Sequence, residues 1–176
     1  IFEMANNHMG DIEHGLRIIM EIYEVCKDFN FNFAFKFQYR DLDTFIHPDF
    51  KDRMDLKYVK RFSETRLSED EFKLLKDEAE KLGFITICTP FDEKSVEKII
   101  NHNYHIIKIA SASCADWPLL ESIVKYDKPI IFSIGGAKLE DVDRVVNFLQ
   151  NRNKKFAIMH CVGLYPTQDD QLQLNQ

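Results

Sequence analysis

Six short apolar runs, separated by stretches with helical spacing, constrain this chain more than any other feature. The runs are 1–5 (IFEMA), 33–38 (FAFKFQ), 84–89 (FITICT), 105–111 (HIIKIAS), 129–134 (PIIFSI) and 156–162 (FAIMHCV). After the first, Ile12, Leu16, Ile19, Tyr23 and Cys26 recur in steps of four and three, the spacing of one helix face, with Asp11 placed to cap it. Ser68 with Glu71 forms a capping-box pattern, and the helix it opens runs through Phe72, Leu75, Ala79 and Leu82 to a stop at Gly83. Further helices are expected over 93–101, 117–126 and 137–151. Strand alternating with helix implies parallel strands joined by crossover helices, so the fold class is α/β. The runs are nearly continuously apolar, as strands covered on both faces are. Two arrangements remain open at this point. A closed eight-stranded barrel takes about 200 residues or more; a doubly wound open sheet sits more easily in 176 residues.

Two of the runs carry a lysine in their middle. Lys36 lies between Phe35 and Phe37, and Lys108 among Ile106, Ile107, Ile109 and Ala110. A buried ammonium needs a partner. Side chains alternate along a strand, so Lys36 and Gln38 share a face. Ser111 and Ser113 follow the run of Lys108, and Ser133 ends the fifth run before Ile134, Gly135 and Gly136. All of these sit at carboxyl ends of expected strands, where α/β folds bind ligands. Ammonium groups, hydroxyls and an amide gathered there suit a phosphate. The competing reading of each lysine is an ion pair within the protein, with Glu3, the only acid of the first run, or an aspartate.

The formal net charge of −6 argues against general nucleic-acid binding. No apolar run approaches the length of a membrane span, and no signal peptide is expected. The chain opens on Ile1 rather than Met, which points to a trimmed or partly represented protein. Cys26, Cys88, Cys114 and Cys161 form no CxxC pair, so reduced thiols are expected rather than zinc ligands or disulfides. Residues 39–67 show no clear periodicity over most of their length. From Lys51 to Arg66 they hold six basic and three acidic residues, a positive excursion that is either a binding loop or a solvated surface segment. His8 has no second ligand at metal-binding spacing, so a loop-structuring or substrate-contact role is expected for it. His160 reads as a hydrogen-bonded interior histidine.

The stretches FEMANNHMGD, FKFQ, TICTPFD, IKIASAS…WPLL, KPIIFSIGGA and MHCVGLYPT, in this order and spacing, resemble the sialic acid (N-acetylneuraminate) synthase family, including its branch of spore-coat polysaccharide biosynthesis proteins. The resemblance runs the length of the chain. It implies a (β/α)8 TIM barrel, with residues 1–176 as the N-terminal part of that domain, strands one to six, and the last strands and a C-terminal antifreeze-like domain outside this sequence. It further implies condensation of phosphoenolpyruvate with an amino- or acylamino-sugar such as N-acetylmannosamine, giving a 2-keto sugar acid and phosphate. Lys36, Lys108, Ser111 and Ser133 match the positions that hold the phosphoenolpyruvate phosphate, with Lys108 also counted as catalytic. Gln38 matches the glutamine near the enolpyruvate end, Glu3 a catalytic glutamate beside the reacting carbon, and Tyr165 a tyrosine on the sugar side. Asn7, His8 and Ser113 are further candidate contacts. A divalent ion, Mn or Mg, is implied with its ligands beyond residue 176 and none in this chain, as is a homodimer in the cytoplasm without nucleic-acid or membrane partners. Two positions depart from the family pattern: Ser113 stands where a KIGSGE-type motif has glutamate, and Gly163 where an HCTN motif has asparagine. Two other functions fit the same residues. One is a Schiff-base aldolase with Lys108 as nucleophile; the other is a barrel that binds a phosphorylated ligand without turnover.

Overall fold

Strand and helix alternate along the chain much as the spacing of apolar residues predicts. The computed structural model describes residues 1–175 and divides into two units, Ile1–His105 and the chain from Ile106 onward. The first unit holds β1 (Phe2–Glu3), α1 (Ile12–Cys26), β2 (Ala34–Tyr39), α2 (Leu42–Phe45), α3 (Lys57–Glu64), α4 (Glu69–Lys81), β3 (Ile85–Pro90) and α5 (Glu93–Asn101). The second holds β4 (Ile106–Ile109), α6 (Trp117–Ile123), β5 (Ile130–Ser133), α7 (Leu139–Gln150) and β6 (Phe156–Met159).

In the first unit β1, β2 and β3 pair in parallel, with Glu3 opposite Lys36 and Gln38 opposite Thr89. In the second, β4, β5 and β6 do the same, with Lys108 opposite Ile131 and Ser133 opposite Met159. Within each unit, each strand's neighbour is the next strand in the chain. A doubly wound sheet reverses its order at a switch point, and neither unit contains such a reversal. Along β2 the pleat buries Phe35, Phe37 and Tyr39 and leaves Lys36 and Gln38 partly exposed. The cores are built around Phe35, Phe37, Leu75, Ile87 and Tyr104 in the first unit and Leu120, Ile123, Phe132, Val145 and Leu149 in the second.

The caps follow local sequence. Asp11 Oδ1 accepts the N–H groups of Glu13 and His14 at 2.9 and 3.2 Å, anchoring α1. Ser68 and Glu71 exchange both bonds of the capping box at the start of α4. Two expectations change. β1 is shorter than the run 1–5, because Ala5 takes φ 44 and turns the chain out of the strand. The excursion 39–67 is not structureless but holds α2 and α3. In α3 only Val59 is fully buried, so an eight-residue helix offers too few inward positions for a periodicity to show. The excursion is tied down at Gly10. Its φ of 75 suits glycine, and a Cβ there would come within 2.8 Å of the Glu64 carbonyl oxygen. No helix among the described residues is long and apolar enough to cross a membrane. Cys26, Cys88 and Cys114 are buried free thiols, and Cys161 is half-buried.

Candidate active site

In the second unit, Lys108 sits on β4 with 7% exposure. Its ammonium donates to the Ile109 carbonyl oxygen at 2.7 Å and to the hydroxyl of Ser133 at the end of β5. Both of these oxygens can accept from an ammonium. Ser111 opens the tight helical turn Ser111–Ser113 beyond β4, and its Oγ accepts the Gly135 N–H at 3.1 Å. A Cβ on residue 135 would lie 3.1 Å from both Ser111 Oγ and Cys161 Cβ, so a side chain there would require those neighbours to give by a few tenths of an ångström. Ser113 is buried in the same turn, its N–H bonded to the Ala110 carbonyl at 3.0 Å. One ammonium, two hydroxyls and the amides of two tight turns therefore lie at the carboxyl ends of β4 and β5. Such groups bind phosphate through charge-assisted hydrogen bonds.

In the first unit, the register of β1 on β2 sets Glu3 beside Lys36, and the two form an ion pair. The other Glu3 oxygen accepts the Ala5 N–H at 2.9 Å. Gln38 Oε1 accepts from Arg40 Nη2 at 2.9 Å. The Arg40 guanidinium is gripped by three rings: it lies 3.9 Å from the centre of Phe91, 4.5 Å from Phe62 and 6.0 Å from Phe45. Gln38 and Arg40 open onto a cavity of about 590 Å³, whose walls include Asn6, Lys98, Glu69 and His102. Beneath it runs a buried polar chain. Tyr104 donates to Tyr39 at 2.9 Å, which directs the Tyr39 proton onto His102 Nδ1 at 2.8 Å. His102 Nε2 then faces Glu69 at 3.5 Å. Burial lowers the His102 pKa, against the pull of Glu69, and pushes both tyrosine hydroxyls up, so the chain is neutral near pH 7.

The remaining candidates are scattered. His8 is 1% exposed, accepts the Gly10 N–H on Nδ1 at 3.1 Å and meets the Phe72 ring edge-on; burial lowers its pKa. It holds the turn after β1 and also lines the cavity described above. Asn7 is exposed in that turn, and Tyr165 stands 99% exposed. His160 is bonded to the Leu172 carbonyl at 2.9 Å but is exposed rather than interior, because β6 presents Ile158 and Met159 to solvent. Arg40, its aromatic grip and the Tyr39–His102–Tyr104 chain escaped the sequence reading. A charged residue two positions past Gln38 on the same strand face was the available signal for Arg40. Among the described residues, no group of three or more His, Cys, Asp or Glu side chains could hold a metal ion.

Parallel strands taken in chain order, with cations and hydroxyls at their carboxyl ends, define an α/β protein of the TIM-barrel kind. The chain belongs to the NeuB family, whose sequence profile matches residues 29–176. It is similar to the crystal structure described as a spore coat polysaccharide biosynthesis protein E of Chromobacterium violaceum, at 57% identity and a TM-score of 0.95 over 98% of this chain and 52% of that one. It is similar too to the N-acetylneuraminic acid synthetase of Leptospira borgpetersenii in complex with citrate, at 26% identity and a TM-score of 0.83 over 98% of this chain and 57% of that one. The N-acetylneuraminate-9-phosphate synthase of Drosophila melanogaster is 29% identical over 99% of this chain and 48% of its own length. The chain thus spans about half the length of the curated relatives it matches.

Proposed function

We propose that the protein of which this chain is part condenses phosphoenolpyruvate with an acylamino aldose, forming a 2-keto sugar acid and releasing phosphate. The observation that carries this reading is the buried Lys108 ammonium held by Ser133, with Ser111 drawn in by Gly135 at the strand ends of the second unit. In this reading that cluster takes the phosphate. C3 of the enol attacks the aldehyde carbon, water adds at C2, and phosphate leaves with cleavage of the C–O bond. Lys108 stabilises charge on the departing phosphate. Glu3 is the acid or base nearest the reacting carbon, its carboxylate oriented by Lys36 and the Ala5 N–H. Gln38 orients the enolpyruvate end, and Tyr165 is assigned to the sugar side. The divalent ion of this reading takes ligands outside the described residues. A cytoplasmic homodimer belongs to the same reading, and light scattering tests the assembly.

The names of the relatives support a sugar acceptor and differ on its form. The fly enzyme's name specifies a 9-phosphate product, whereas the leptospiral name does not. The aldolase alternative requires Lys108 to lose its proton before it attacks a carbonyl. The test is release of inorganic phosphate by the full-length protein given phosphoenolpyruvate and a panel of aldoses. Release that depends on both substrates is expected. Borohydride trapping of pyruvate on Lys108 would replace this reading with the aldolase. Phosphoenolpyruvate binding with no turnover on any sugar would replace it with a binding barrel.

A further inference from the structure

The cavity at the end of β2 contains three cations in different situations. Lys98 is paired with Asp41 at 3.3 Å, and Arg66 with Asp43 at 3.2 Å. Arg40 is half-buried and, among the described residues, forms no ion pair; its only hydrogen bond is to the neutral amide of Gln38, and its Nε is buried without a partner. The acids around it are committed elsewhere. Asp41 holds Lys94, Lys98 and the Thr44 hydroxyl, Asp92 caps α5 through the Ser95 N–H and takes the Asp41 N–H, and Glu3 holds Lys36. Burial draws the Arg40 pKa down to about 10, against the pull of Asp92 and Glu3, so the group is still a cation near neutral pH. A partly desolvated cation without a counter-anion is costly. Three phenylalanine rings lie within 6.0 Å of it and hold it in place in advance, a preorganisation suited to recognition.

We propose that Arg40 is the acceptor-recognition group of this protein, binding an anionic substituent, phosphate or carboxylate, carried by the acceptor sugar. The proposal rests on the function proposed above, in which Gln38 meets the enolpyruvate end. The cavity onto which Gln38 and Arg40 both open is then the acceptor side, and its volume of about 590 Å³ is ample for a substituted hexosamine. A carboxylate or a phosphate can present two oxygens to a guanidinium at once, and the Arg40 charge has no ion-pair partner among the described residues until such a ligand arrives. The competing view is that Arg40 only clamps Phe45 and Phe62.

The experiment compares three ligands on the full-length protein by isothermal titration without phosphoenolpyruvate: N-acetylmannosamine, its 6-phosphate, and the matching uronic acid. At least one anionic ligand is expected to bind roughly tenfold or more tighter than the neutral sugar, the scale of a charge-assisted hydrogen bond; whichever does so identifies the substituent. Arg40→Met, which keeps a stem against the rings, should reduce that advantage to about twofold and leave the neutral sugar and phosphoenolpyruvate unaffected. Equal affinity of the three ligands for the wild type overturns the proposal. So does an equal weakening of all three by Arg40→Met, the signature of a clamp, or wild-type protein that binds phosphoenolpyruvate but none of the sugars. Should Arg40→Met fail to fold, the wild-type comparison still decides. Loss of phosphoenolpyruvate binding in the wild type would instead indict the proposed function.

Discussion

Replacing Lys108 with methionine removes one charge and keeps most of the side-chain stem. The lysine is 7% exposed, so its ammonium is largely desolvated before any ligand arrives. A hydrogen bond between such a charge and a phosphate oxygen is worth about 1.5–3 kcal/mol. At about 2 kcal/mol the dissociation constant of phosphoenolpyruvate rises roughly 30-fold. The fold also loses something, since the Ile109 carbonyl and the Ser133 hydroxyl each lose a donor. Ser133 can turn to donate its own proton, so a net cost of about 1 kcal/mol is reasonable, or roughly 2–4 °C in Tm for a protein of this size. Isothermal titration at fixed ionic strength measures the first effect and a circular-dichroism melt the second. Ser133→Ala is the control; it removes one neutral partner and should cost only about fivefold in affinity, near 1 kcal/mol. A folded Lys108→Met protein that binds phosphoenolpyruvate within about twofold of wild type, well under 1 kcal/mol, refutes the assignment of the phosphate to this cluster.

Glu3→Gln should lower kcat by roughly 100-fold with little change in phosphoenolpyruvate affinity, the signature of a positioned acid or base; steady-state kinetics giving near-wild-type kcat would reduce Glu3 to an ion-pair partner of Lys36. Burial opposes ionisation of Asp41, but Thr44, Lys94 and Lys98 outweigh it and bring its pKa from the ordinary 3.8 to about 2. Because the folded value is the lower one, this stabilisation is present above pH 4 and is lost as pH falls towards 2, about 2 kcal/mol in all. Urea midpoints at low and neutral pH should therefore differ less in Asp41→Asn than in wild type, and equal differences would contradict the pairing. Gly10→Ala places a methyl against the Glu64 carbonyl at a positive φ and should cost about 1–3 kcal/mol, with faster proteolysis within 39–67; an unchanged denaturation midpoint and digestion pattern would show that the turn tolerates a side chain.

What could be read from the sequence was what local spacing encodes. The strand–helix order, the Asp11 cap and the Ser68–Glu71 box depend on residues within one helical turn of each other, and all appear in the structure. Lys108 and Ser133 were legible because polar residues interrupt or end apolar runs. For Lys36 the sequence leaves both an ion pair with Glu3 and a ligand open, and strand register brings Lys36 and Glu3 together. Arg40 was not legible, because its rings come from positions 45, 62 and 91 and no spacing rule joins them. The buried chain of Tyr39, His102 and Tyr104 was hidden because the tyrosines read as core aromatics. α3 is not legible because one fully buried residue in eight gives no period.

The grip on Arg40 has a consequence for how this part of the molecule opens. Phe45 belongs to α2, Phe62 to α3 and Phe91 to the bend after β3, so three segments distant in sequence share one guanidinium. None of them can swing away without unstacking the same cation and exposing the rings of the others. The amides of α2 and α3 should therefore exchange with solvent deuterium as a single cooperative unit rather than fraying inward from Lys51, the behaviour of a small foldon held at one point.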